Sequence, residues 1–298
     1  MSLEDLLSGW IGPSSATEQD RQDRTERMVR EAVRDHGPFA DCSLKVYAKG
    51  SYANNTNVKA DSDVDVAVQC QDVMYWEEAT PGARTGEGTA YEGPWTPAKL
   101  RSELKAALIA KFGAGDVDDS GATAFTVRSS STRVDADVVP CFDYRYYFSA
   151  GGSRDGARIF PKRGLGFENY PDQQLSNGNA KNNRTGTIYK KGVRVMKRVG
   201  NAMVEANAHR EVPSFFIECL VYNCPDSNFA RSSWTDRVSA MLVHIWEGLQ
   251  GEVEPDEESD RWLEVNECKY LFHASQKWSR KDGRDFAYAA WNYLGYGK

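Results

Sequence analysis

Three aspartates, Asp61, Asp63 and Asp65, stand at alternate positions ahead of the apolar run Val64 to Val68. A second alternating segment, Ser131 to Cys141, carries Asp135 and Asp137 into Val138, Val139 and Pro140. Residues two apart on a strand share a face. Asp63 and Asp65 therefore point together, and Asp137 on a neighbouring strand can join them. Like charges gathered where a strand enters a core are costly unless something positive compensates. Carboxylate oxygens without histidine or thiolate partners suit hard divalent cations, magnesium first. Upstream, Gly50-Ser51 ends a strand-like run and opens a loop. Glycine lets backbone N–H groups approach a phosphate closely, and serine adds a hydroxyl donor. Taken alone, a Gly-Ser pair is usually a turn, and one Asp-x-Asp is usually a solvated strand end. The ordered conjunction predicts phosphoryl or nucleotidyl transfer, with Asp61 and Asp135 left outside the site as solvated strand residues.

The rest of the composition narrows the field. At 298 residues the chain can bury a substantial core, as one large or two medium domains. A net charge of −6 argues against a wholesale nucleic-acid coat. The six cysteines form no C-x-x-C pair and read as reduced thiols of a cytoplasmic protein. The four histidines are scattered, so no zinc site is expected. No signal peptide and no membrane span are expected. The acidic stretch Glu252 to Asp260 reads as a solvated loop.

Along the chain, Leu3, Leu6, Leu7 and Trp10 suggest a short helix, and Ser15 with Glu18 makes a capping box for a long one. Strands are expected at Leu44–Ala48, Asp63–Cys70, Phe125–Arg128, Thr132–Val139 and Asp143–Phe148, with a helix from Pro97 to Phe112. Ser149 to Thr185 reads as a long irregular segment. Helices follow at Tyr189–Val204, Ser214–Tyr222, Ser233–Leu249, Arg261–Phe272 and Asp285–Leu294. The class expected is α+β, with a catalytic core over residues 1–160 and an irregular lid plus helical domain over 161–298, as two lobes around a cleft.

The segments "GSYANNTNVKADSDVDVAV" and "VDADVVP" resemble the polymerase-β-like nucleotidyltransferase superfamily, and within it the bacterial cGAS/DncV-like enzymes. "NYPDQQLSNGNAKN", "VRVMKRV", "PSFFIECLVY" and "LEVNECKYLF" extend the resemblance over most of the chain, toward the clade E enzymes associated with pyrimidine-containing cyclic dinucleotides. The resemblance implies a mixed-sheet core with a C-terminal helical bundle. It implies that Asp63, Asp65 and Asp137 are catalytic and hold two magnesium ions, with manganese a substitute. Gly50 and Ser51 would hold the donor triphosphate. Lys197 and Ser214 would contact it, and Phe215, where the family usually has tyrosine, would be a platform for a base. The substrates implied are NTPs, UTP and ATP among them. The product would act on a separate effector in antiphage defence, with no membrane and no obligatory nucleic acid, and the enzyme is expected to be a monomer. Asn169 and Asn177 are candidate base readers, because an amide pairs donor and acceptor with a uracil edge; as turn residues they would have no such role. Lys190 and Arg194 are candidate phosphate contacts or solvated charges. Two other classes fit the motifs: another nucleotidyltransferase of the superfamily, acting on RNA, a small molecule or a protein, and a non-catalytic nucleotide sensor.

Overall fold

The computed structural model describes residues 1–13, 15–58, 63–84, 91–149 and 151–297. In chain order it runs α1 (Leu3–Gly9), α2 (Ala16–Arg34), β1 (Leu44–Lys49), α3 (Gly50–Ala53), β2 (Val64–Glu78), α4 (Pro97–Phe112), β3 (Val117–Asp118), β4 (Phe125–Val127), β5 (Ala136–Ser149), β6 (Gly152–Ile159) and β7 (Phe167–Asn169). There follow α5 (Pro171–Arg184), α6 (Tyr189–Glu205), α7 (Ser214–Tyr222), α8 (Asp226–Phe229), α9 (Trp234–Gly248) and α10 (Arg280–Leu294). The class is α+β, as expected. Among the described residues, no helix is long and apolar enough to cross a membrane.

The chain divides into two compact units that interleave in sequence. One comprises Ser15–Tyr52 and Lys59–Pro171 and holds the mixed sheet. Its strands run in the order β1-β2-β5-β4-β3, with β6 also on β5 and β7 on β6. β2 and β5 are parallel neighbours, and their first halves, 64–70 and 136–142, are buried on both faces except at Asp65 and Asp137. The two strands expected at Thr132–Val139 and Asp143–Phe148 are one strand, β5. Pro140 would break an interior ladder for want of an N–H. It is tolerated because it lies where the second edge of β5 passes from β4, paired through Val138, to β6, paired from Cys141. Helices α2 and α4 cover the sheet with Val29, Val33, Leu100, Leu104 and Leu108, all buried.

The other unit comprises Met1–Ser14, Ala53–Val58 and Asp172–Lys298. Its core gathers Val193, Met196, Val199, Phe216, Leu220, Leu242, Ile245 and Phe286 from α6, α7, α9 and α10. α1 belongs here: Leu7 is buried in this core, and the Glu4 carboxylate accepts the Trp234 and Thr235 N–H groups (2.9 and 2.7 Å), closing the N-terminus of α9. Two expectations fail locally. Ser149–Thr185 is not irregular but forms β6, β7 and α5, whose polar sequence hides a helix. Arg261–Phe272 is not helical; it folds back through a Leu263–Tyr270 bridge that buries Trp262 and Leu271.

Candidate active site

β2 and β5 carry the carboxylates. The two strands are in register at Asp65 and Asp137, so parallel neighbours hold these side chains at one level of the sheet. Each is oriented by the chain. The Thr126 hydroxyl on β4 donates to Asp137 Oδ1 (2.7 Å), and Thr126 is the register partner of Asp137 on that side. Lys49 Nζ, at the end of β1 opposite Asp65, lies 3.4 Å from Asp65 Oδ1. Asp63 stands one position ahead of β2 and is exposed. Asp135 precedes β5, and its carboxylate accepts the Ser129 N–H. Asp61 lies outside the described residues.

Gly50 follows β1 directly, with φ +69°, a conformation that side chains rarely adopt. A Cβ placed there would fall 2.3 Å from Asp65 Oδ2. Glycine thus brings the backbone against the carboxylate, and Ser51 follows in the first turn of α3. Among the described residues, Asp65 and Asp137 offer hard, anionic carboxylate oxygens here, with one oxygen of Asp137 already fixed by a hydroxyl. That chemistry fits magnesium or manganese. Asn169, on β7, is half-buried, and its Oδ1 accepts the Tyr170 N–H (2.9 Å).

The remaining candidates lie in the helical unit. Lys197 is neither exposed nor open to solvent: its side chain is 2% accessible, and its Nζ pairs with Glu218 Oε2 at 2.8 Å. The Thr56 hydroxyl donates to the same Oε2 (2.7 Å) and stands 3.3 Å from Lys197 Nζ, closing a triad from three segments. Sequence reasoning missed Glu218 and Thr56. The available signal was a lone carboxylate inside the apolar run Phe216 to Val221, which demands a cationic partner. Lys190 and Arg194 are likewise buried, not solvated. Lys190 Nζ donates to Asn179 Oδ1 (2.6 Å), and Arg194 donates to the carbonyls of Ile11 (2.8 Å) and Asn55 (2.5 Å). Burial, with the charge of Arg198 added, draws Arg194 down to about 10, so it stays charged at neutral pH. Ser214 is the exposed first residue of α7, where Pro213 holds the cap position, so the serine makes no cap hydrogen bond. Phe215 is half-buried, its ring 6.3 Å from that of Trp278. Asn177 sits in α5, where its amide donates to the Val265 carbonyl (3.1 Å).

Residues 176–295 match the family described as the cGAS/DncV-like nucleotidyltransferase C-terminal helical domain. The chain is 34% identical to a cyclic dipyrimidine nucleotide synthase, CdnE, of Legionella pneumophila, over 98% of this chain and 97% of that one. It is 30% identical to a cyclic dipurine nucleotide synthase of Elizabethkingia meningoseptica, over 98% of each chain. Among solved structures, the Rhodothermus marinus CdnE c-UMP-AMP synthase with Apcpp and Upnpp superposes with a TM-score of 0.83 at 27% identity, over 99% of this chain and 97% of that one. The chain belongs to the cGAS/DncV-like nucleotidyltransferases.

Proposed function

We propose that the protein is a magnesium-dependent synthase that joins two NTPs into a cyclic dinucleotide with at least one uridine, a messenger for a separate effector in antiphage defence. The observation that carries this reading is the register pairing of Asp65 with Asp137 beside a left-handed Gly50. Asp63, Asp65 and Asp137 would hold two magnesium ions, whose chemistry there would be to acidify an attacking 2′- or 3′-hydroxyl and to neutralise charge on the departing pyrophosphate. Gly50 and Ser51 present backbone and hydroxyl donors to the triphosphate. Thr126 keeps Asp137 from rotating, and Lys49 offsets the charge of Asp65. Lys197, held by Glu218 and Thr56, ties α6 to the segment that follows α3 and would reach the triphosphate by opening that pair. Ser214, exposed at the start of α7, would contact the triphosphate.

The uridine assignment rests on Asn169. Its Oδ1 is engaged by Tyr170, which leaves the amide N–H donors to meet a pyrimidine carbonyl. The Legionella and Rhodothermus relatives support it by their pyrimidine products, and the Elizabethkingia enzyme runs the other way.

The test is to incubate the purified chain with all four NTPs, labelling one at a time, with magnesium or with chelator, and to identify products by mass. A cyclic dinucleotide containing uridine, absent with chelator, is expected. Linear tails or no product would overturn the class of reaction. A cyclic product without uridine would overturn only the base assignment.

A further inference from the structure

Cys42 and Cys70 are far apart in sequence and side by side in the fold. Cys42 ends the turn before β1, Cys70 lies on β2 as the register partner of Leu44, and their Sγ atoms are 3.7 Å apart. Asp72 completes the group: its carboxylate and the two sulfurs all lie within 4.8 Å of one another, and its Oδ2 accepts the Ser43 N–H at 3.2 Å, which turns it toward the thiols. Cys70 is buried, Cys42 half-buried and Asp72 exposed, so the cluster opens to solvent on its carboxylate side.

We propose that Cys42, Cys70 and Asp72 form a binding site for a borderline-soft divalent cation, zinc by chemical preference, separate from the catalytic carboxylates. Two sulfurs bound to one zinc at about 2.3 Å with tetrahedral angles stand about 3.8 Å apart, and the observed 3.7 Å matches without movement. A disulfide would need the sulfurs to close to about 2.05 Å. Two thiolates and a carboxylate leave a fourth tetrahedral position on the open side for water. Binding releases the two thiol protons to solvent. The two sites sort cations by ligand softness: magnesium prefers the all-oxygen set near Asp65, and zinc the thiolate pair. The bound cation would fasten the turn before β1 to β2 at Cys70, where the pairing of β2 with β5 shifts register before Met74. It would thus anchor the opposite end of the ladder that holds Lys49 against Asp65. The thiols form no C-x-x-C pair, so no zinc site is legible along the chain; the pairing of β1 with β2 brings them together.

The experiment titrates the metal-stripped full chain with Zn2+, and separately with Co2+, in saturating Mg2+. One Zn2+ per chain and a thiolate-to-cobalt charge-transfer band are expected. Both should be lost in Cys42→Ser, and affinity should fall at least tenfold in Asp72→Asn, whose exposed side chain can change without unfolding the protein. Asp65→Asn should leave zinc binding intact. Absence of the cobalt band in the wild type, or zinc uptake equal in wild type, Cys42→Ser and Asp72→Asn, would overturn the site.

Discussion

Lys197 on α6 and Glu218 on α7 face each other across the helical core, Nζ to Oε2 2.8 Å, with side chains only 2% and 3% accessible. Removing one partner of a buried pair leaves an uncompensated charge, which costs about 3–5 kcal/mol. Glu218→Ala should destabilise the protein by that amount in urea unfolding. Lys197→Met combined with Glu218→Leu should cost clearly less, because both charges leave together. If the double variant folds and still turns over NTPs, the ammonium is structural. If it folds and binds NTPs much more weakly, the pair must open to serve the triphosphate.

Gly50→Ala tests how closely the backbone must approach Asp65. The left-handed conformation alone costs about 1–2 kcal/mol for a side chain. The added methyl would also displace a carboxylate now 2.3 Å from its position. Turnover should drop roughly a hundredfold, as expected when a catalytic group is moved by about an ångström. Circular dichroism should report an intact fold, and unchanged turnover would remove Gly50 from the site.

For the carboxylates, Asp63→Asn with Asp65→Asn should abolish synthesis without unfolding the chain, since the change keeps side-chain size and the ion pair lost, Lys49 with Asp65, is long at 3.4 Å and partly exposed. Asp137→Ala should cut the rate far more than NTP affinity. Thr126→Val should act in the same direction but weakly, by about tenfold, the worth of one hydrogen bond to a charged group. Rate and affinity falling together in Asp137→Ala would make that residue structural.

Asn169→Ser should shift incorporation toward purines while total turnover is partly retained. An amide donor left unpaired against the wrong base costs roughly 1–3 kcal/mol, enough to bias a product without making it exclusive. Product ratios from mixed NTPs measure this, and an unchanged ratio would place base selection elsewhere.

Acid should find Asp119. Partial burial pushes its carboxyl up, but hydrogen bonds from Lys162, Arg101 and Lys105 outweigh that and hold it well below the ordinary 3.8. A lowered folded-state pKa gives stability that is fully present above the unfolded value and is lost as pH falls below it. Asp119→Asn should therefore lower Tm at pH 7, and the gap to wild type should shrink as pH falls below about 4. A constant gap down to pH 2 would show that the interaction is not ionic.

Much of the fold was readable from local chemistry. The capping boxes at Ser15-Glu18 and the proline start at Pro97 located their helices, because caps act within one turn. Alternating aspartates before apolar runs located β2 and β5, the strands that carry Asp65 and Asp137. The helix α5 was not readable, since "PDQQLSNGNAKNNR" lacks an apolar stripe and buries Gln174, Gly178 and Lys181 instead. The apolar spacing from Arg261 to Phe272 reads as a helix, but the same spacing fits the turn closed by the Leu263–Tyr270 bridge.

What the sequence determined by itself was the kind of chemistry: which carboxylates share a face, and a glycine where a phosphate would need close backbone. These follow from spacing along one strand. Only the tertiary structure decided the partners. It set Asp137 level with Asp65, gave Lys197 to Glu218 and Thr56, drew Lys190 and Arg194 out of solvent, and put Cys42 against Cys70. Those pairings join residues distant in sequence. Their physical cause is the cost of burying charge or thiol without a neighbour, which the packed core settles and the linear order does not record.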